Sequence, residues 1–213
     1  MNVIMIIISA LICYLLGSIS TSILVGKASG LGDIRKHGSG NAGATNTLRV
    51  LGKKAAIWTV LGDVLKTVIA VLVARFISKN FITDSGMAEL SIYISCLFTA
   101  VGHNFPIYFK FKGGKGVLTS GVIIIMLNPL IGSVTVVAAL LTMAVTKYVS
   151  LGSIVGGVLY PLWIIIWYTD DVMKMVFALL MGGMLIIKHS ANIGRLINGT
   201  ESKLGAKKTS DGE

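Results

Sequence analysis

Apolar residues fill long unbroken stretches of the chain, at positions 3–26, 55–77, 88–101, 117–146, 151–169 and 172–187. None of them alternates apolar and polar residues as a barrel strand does. Most approach the roughly 20 residues that a helix needs to cross the hydrocarbon layer, where every backbone polar group must pair within the protein. The pattern therefore predicts membrane-spanning helices. The fourth stretch is too long for one crossing. Asn128 and Pro129 lie inside it, and proline lacks an N–H and pushes its predecessor away from helical angles, so a split is expected there. The expected fold class is an all-α polytopic membrane protein with seven transmembrane helices.

Charge placement orients the bundle. With seven crossings, Arg75, Lys79 and Lys174 fall on one side and Lys66 within the second helix, while the rest of the 19 basic residues share the opposite side. Six crossings would carry Lys147 and the basic tail across, against the bias of cytoplasmic loops for Lys and Arg. The N-terminus is thus expected outside and the C-terminus in the cytoplasm. Residues 1–204 read as a single integral membrane domain, and 205–213, charged and rich in small residues, as a disordered tail. The first stretch has no basic leader and reads as a retained span rather than a signal peptide.

Composition agrees: 54% hydrophobic and 13% charged residues do not describe a water-soluble surface. The net charge of +10 suits cytoplasmic loops and also an anionic substrate. Its spread over short loops, rather than one basic face, argues against nucleic acid as a partner. Cys13 and Cys96 sit in apolar runs and read as small buried hydrophobes. The three histidines have no Cys or acidic cluster at ligand spacing, so no metal site is expected. Asp63 and Lys66, three apart within the second span, read as a mutual ion pair.

Three polar segments interrupt the pattern on the expected cytoplasmic side. The first runs from His37 to Arg49 and includes Gly38, Ser39, Gly40, Asn41, Thr45 and Asn46. Its glycines allow backbone N–H groups to line an anion site, and a helix starting near Ser39 or Asn41 would add its positive dipole end. On that helix Thr45 shares a face with Arg49, as does Asn46, and Arg49 offers a bidentate grip on phosphate. A flexible loop with a topology-setting arginine fits the isolated pattern as well.

The second segment, Gly102 to Gly116, ends in Gly113-Gly114-Lys115-Gly116. It fails as a nucleotide P-loop, because Phe109 stands where glycine is needed and Gly116 where a Ser or Thr would hold magnesium. A glycine turn with Lys115 at a helix N-terminus remains a phosphate cradle. Lys110 and Lys112 read as snorkelling lysines, and His103 as an aid to loop placement. In the third segment His189 and Asn192 project from one helical face, suited to proton transfer and to orienting a hydroxyl or carbonyl oxygen. A lone histidine at a helix end is more often a cap, and Glu201 reads as a structural partner for an arginine. Ser150 and Ser153, beside Lys147, are candidates to add hydroxyls to the same pocket.

Together these segments resemble the bacterial acyl-phosphate:glycerol-3-phosphate acyltransferases, the PlsY family. The resemblance rests on GSGNAGATNTLR at 38–49, GHNFPIYFKFKGGKGV at 102–117, YVSLGS at 148–153 and HSANIGRLINGTE at 189–201, in that order along nearly the whole chain. It implies a seven-helix enzyme of the bacterial inner membrane, its active site facing the cytoplasm. Such an enzyme moves a fatty acyl group from acyl phosphate to the first hydroxyl of glycerol 3-phosphate, giving lysophosphatidic acid and phosphate. The resemblance implies no metal, nucleotide or other cofactor, and a functional link to a peripheral acyl-phosphate synthase. By the same resemblance, Ser39, Arg49 and Lys115 hold phosphate and the backbone of Gly113, Gly114 and Gly116 shapes the glycerol 3-phosphate site. His189 and Asn192 orient the glycerol moiety, and Asn41, Thr45 and Asn46 line the acyl-phosphate side. The other type of glycerolipid acyltransferase places Asp five residues after a His; here those positions hold Ala42, Tyr108 and Gly194. A transporter of a phosphorylated solute is the competing class, but it would carry its polar groups near mid-membrane on broken helices.

Overall fold

The computed structural model describes residues 1–205, and among these all regular structure is helical. The α-helices are α1 (Asn2–Gly17), α2 (Thr21–Ala28), α3 (Ala44–Phe81), α4 (Ser85–Asn104), α5 (Val117–Leu127), α6 (Pro129–Thr146), α7 (Val149–Trp167), α8 (Val172–Lys188) and α9 (Ser190–Ile197). The long fourth stretch divides where proline requires it: α5 ends at Leu127, Asn128 leaves helical angles, and Pro129 opens α6. The Asn128 amide donates to the Tyr160 hydroxyl of α7 at 3.2 Å, which pins the corner. Two other helices start on acidic caps, with Asp84 accepting from the Met87 amide at 2.7 Å and Asp171 from the Lys174 amide at 2.9 Å.

Lipid supplies little hydrophobic drive between helices, so the bundle relies on close backbone approach at small residues. A Cβ on Gly17 of α1 would lie 2.1 Å from the Thr99 carbonyl oxygen of α4, and one on Gly102 would lie 2.2 Å from that of Tyr14. The Ser9 and Ser95 hydroxyls, 2.7 Å apart, add a hydrogen bond to the same crossing. Gly152 against Ala139 and Gly182 against Gly157 repeat the device between α6, α7 and α8. The exterior is apolar, with Leu11, Leu65, Leu72, Leu140 and Val145 exposed, while Ser9, Thr67, Ser91, Ser95 and Thr99 are buried. This reversal of the soluble pattern is what a hydrocarbon solvent selects.

Five segments are long and apolar enough to cross a membrane, α1 with α2 counting as one, and α8 makes a sixth only when joined to α9, bent from it by 59°. α5 has 11 residues and reaches about 16 Å at 1.5 Å per residue, about half the hydrocarbon thickness. By length alone the bundle thus provides fewer crossings than the seven expected. Of the expected tail, residues 206–213 lie outside the described residues. Just before it, the Leu204 amide donates to the Lys147 carbonyl at 2.7 Å, fastening the chain to the α6–α7 corner.

Candidate active site

The first polar loop is held from within by Asn46. Its side-chain oxygen accepts from the Ser39 amide at 2.8 Å, and its NH2 group donates to the carbonyls of His37 at 3.0 Å and Ile34 at 3.3 Å. The amide is wholly buried, so Asn46 faces the loop while Thr45 and Arg49 face outward. The shared face expected for Asn46 and Arg49 is therefore not formed. The helix also starts later than expected, at Ala44 rather than Ser39 or Asn41, because Gly38 and Gly40 take φ of 61° and 73°. A further break at Gly52, φ 81°, separates this short helical stretch from the spanning part of α3. Gly38, Ser39 and Gly40 are exposed and Asn41 is half-buried.

The second loop docks onto the first. A Cβ on Gly114 would meet the Ala42 carbonyl oxygen at 2.7 Å, so the two glycine-rich backbones touch. Arg35, which the pattern of the sequence did not mark, straps them together. Its guanidinium pairs with Asp33 at 2.7 Å and donates from Nη1 to the carbonyls of Phe109 at 2.8 Å and Lys112 at 2.6 Å. The glycine turn hangs from the end of α4, where the Gly113 and Gly114 amides donate to the carbonyls of Asn104 and His103 at 3.3 and 3.2 Å. These are backbone bonds, made by the carbonyls that end α4. Asn104 is buried beside Gly116 with both side-chain polar atoms unpaired.

The third segment closes the site. Lys115 Nζ donates to Asn192 Oδ1, Asn192 Nδ2 donates to Glu201 Oε1 at 2.6 Å, and Arg195 Nε donates to Glu201 Oε2 at 2.7 Å. Glu201 thus pairs with an arginine of α9 rather than of a loop, and also orients Asn192. Burial alone would raise the Glu201 pKa, but the hydrogen bonds from Asn192 and Arg195 and the arginine's charge hold it below the usual carboxylate range. Ser150 stands near that carboxylate, yet its buried hydroxyl closes no hydrogen bond. Ser153 instead spends its hydroxyl proton on the Val149 carbonyl of its own helix, at 2.8 Å.

Burial pulls the Lys115 ammonium down to about 8; Glu201 opposes this, and the charges of Arg195, Lys188 and Arg49 reinforce it. Among the described residues, the charges that act on Lys115 are thus those of three cations and one carboxylate, a surplus of positive charge. Such a surplus is unfavourable until an anion arrives. His189 sits at the corner between α8 and α9, 2% exposed. Burial lowers its imidazole to about 4, with Lys115 adding to that and the Leu185 hydrogen bond and Glu201 opposing it. At neutral pH the ring is uncharged. Nδ1 lies 2.8 Å from the Leu185 carbonyl oxygen and must donate to it, which leaves the Nε2 lone pair as proton acceptor.

The chain matches the family model described as glycerol-3-phosphate acyltransferase over residues 7–199. A glycerol-3-phosphate acyltransferase of Clostridioides difficile strain 630 is 45% identical over 95% of this chain and 97% of its own. One from Thermoanaerobacter pseudethanolicus is 42% identical over 94% and 96%. Among solved structures, PlsY (YgiH), an integral membrane glycerol 3-phosphate acyltransferase in its glycerol 3-phosphate form, superposes with a TM-score of 0.82 at 34% identity, covering 94% of this chain and 96% of that one. Its lysophosphatidic acid form gives 0.80. With a match along almost its entire length to the family model, to curated relatives and to a solved structure, this chain belongs to the glycerol-3-phosphate acyltransferase family of integral membrane enzymes.

Proposed function

We propose that the enzyme transfers a fatty acyl group from acyl phosphate to the sn-1 hydroxyl of glycerol 3-phosphate, releasing phosphate and lysophosphatidic acid into the cytoplasmic leaflet of a bacterial inner membrane. The observation that carries this is the contact of Lys115, from the glycine turn, with Asn192 of the last helix, within range of the buried His189. Ser39, Arg49 and Lys115 hold phosphate, and the backbone of Gly38, Gly40, Gly113, Gly114 and Gly116 lets substrate come close. Asn192, held by Glu201, orients the glycerol. Asn41 and Thr45 border the donor side, where Asn46 serves by holding the loop, and Ser150 adds a hydroxyl beside Glu201.

An acyl phosphate is a mixed anhydride with a good leaving group, so the glycerol oxygen attacks the carbonyl carbon directly and the carbon–oxygen bond to phosphate breaks. No covalent enzyme intermediate is required. Orientation and cationic stabilisation of the developing oxyanion supply the acceleration. His189 Nε2 and the substrate's own phosphate are the two acceptors for the hydroxyl proton. A peripheral acyl-phosphate synthase is the fitting supplier of the donor. Seven crossings, with α5 and α8 counted, put the basic loops and the site together on the cytoplasmic side.

The test is incorporation of labelled glycerol 3-phosphate into lipid by purified protein with palmitoyl phosphate, repeated with palmitoyl-CoA. Labelled lysophosphatidic acid is expected with the first donor only; product from the thioester alone would refute the donor assignment. Near-full turnover by His189→Ala at saturating substrate would assign the proton to substrate phosphate.

A further inference from the structure

Beneath the glycine turn lies a charged cluster that the proposed chemistry does not use. Asp63, Lys66 and His103 are 3%, 5% and 7% exposed, on α3 and at the end of α4. Lys66 Nζ lies 2.9 Å from Asp63 Oδ1, 2.5 Å from the Ile19 carbonyl oxygen and 3.0 Å from His103 Nδ1. The Thr21 hydroxyl donates to the same Asp63 oxygen at 3.1 Å. The three acceptors match the three protons of the buried ammonium, and any acceptor at 103 would fill the third place. The contact has a direction, however. Lys66, ion-paired and charged, can only donate, so Nδ1 accepts and the ring proton resides on Nε2. That edge of the ring is pressed on the glycine turn: a Cβ at Gly114 would lie 2.3 Å from Nε2, while the His103 carbonyl accepts from the Gly114 amide at 3.2 Å.

We propose that Asp63 and Lys66 act on the substrate site through His103, locking its ring as the Nε2–H tautomer under Gly114 and so holding Gly113–Gly116 in the shape that receives glycerol 3-phosphate. The three are positioning residues for the phosphate cradle, and the inference rests on the assignment of that cradle to Lys115 and the glycine turn. At residue 103 the buried charges and the loop meet. The lysine anchors one edge of its ring and the glycine turn covers the other. A plain ion pair would leave the loop indifferent to the side chain at 103; a positioning device makes substrate affinity depend on it.

His103→Asn separates the two. Asparagine still offers an oxygen to Lys66, so the charges stay satisfied, but it is too short to support Gly114. In proteoliposomes this variant is expected to raise KM for glycerol 3-phosphate about tenfold, with kcat and the KM for acyl donor within about twofold of the parent. A parental KM, or equal losses toward both substrates, overturns the proposal. Lys115→Ala, assayed beside it, tests the cradle itself: an unchanged KM there would defeat the underlying site assignment instead. Independent of how any variant folds, nitrogen NMR of the parent protein labelled at histidine should find the His103 proton on Nε2. A proton on Nδ1 refutes the mechanism.

Discussion

Burial holds the ligand-free Lys115 ammonium at about 8, so its charge is present below that pH and lost as pH rises through it. Because kcat/KM follows the titration of the free enzyme, its value for glycerol 3-phosphate should fall as assays pass from about pH 7 to about pH 9. Lys115→Arg keeps its charge throughout and should give a lower but level profile. A parent profile that stays level over that range would remove Lys115 from the phosphate site. At this scale the sequence was informative wherever chemistry resides in the residue type: Lys115, His189 and Asn192 were visible as candidates, and they meet or sense one another in the fold. It was least informative about direction. Asn46 and Arg49 occur in one motif, yet one amide turns inward to tie three loop groups and the guanidinium turns out. Helical spacing alone does not distinguish them, because the choice is made by a loop that folds back on the helix.

Between elements, the closest approaches are made by glycine, and their cost can be measured. Gly17→Ala must push α1 from α4 and is expected to destabilise the detergent-solubilised protein by about 1–3 kcal/mol. Gly183 has open space around its Cβ position, so Gly183→Ala should leave the melting temperature unchanged or raise it slightly. If both variants melt alike, the close crossing of α1 and α4 does not hold the bundle together. The helices themselves were legible because lipid demands long apolar runs, and the α5–α6 corner because proline marks it. The break at Gly52 and the bend between α8 and α9 were not, since glycine in a helix is common and the bend bears no proline. The Asp63–Lys66 pair was readable from its spacing, while its contact with His103 joins residues 37 positions apart and depends on the tertiary fold.

For the whole molecule, orientation in the membrane can be measured directly. Both native thiols, Cys13 and Cys96, are buried, so introduced cysteines can be labelled against a quiet background. Asn80→Cys should react with an impermeant maleimide on intact spheroplasts, and Lys53→Cys and Lys203→Cys only after the membrane is opened. Labelling of Lys203→Cys from outside would exclude seven crossings. Lys115 reaches its partner Asn192, and Asn192 its support Glu201, only across the last helices. During synthesis the earlier helices must settle in the bilayer with this lysine unmatched, because Asn192 and Glu201 follow α8 in the chain. Prematurely terminated products, however well inserted, should therefore be inert, sparing the membrane from half-made catalysts.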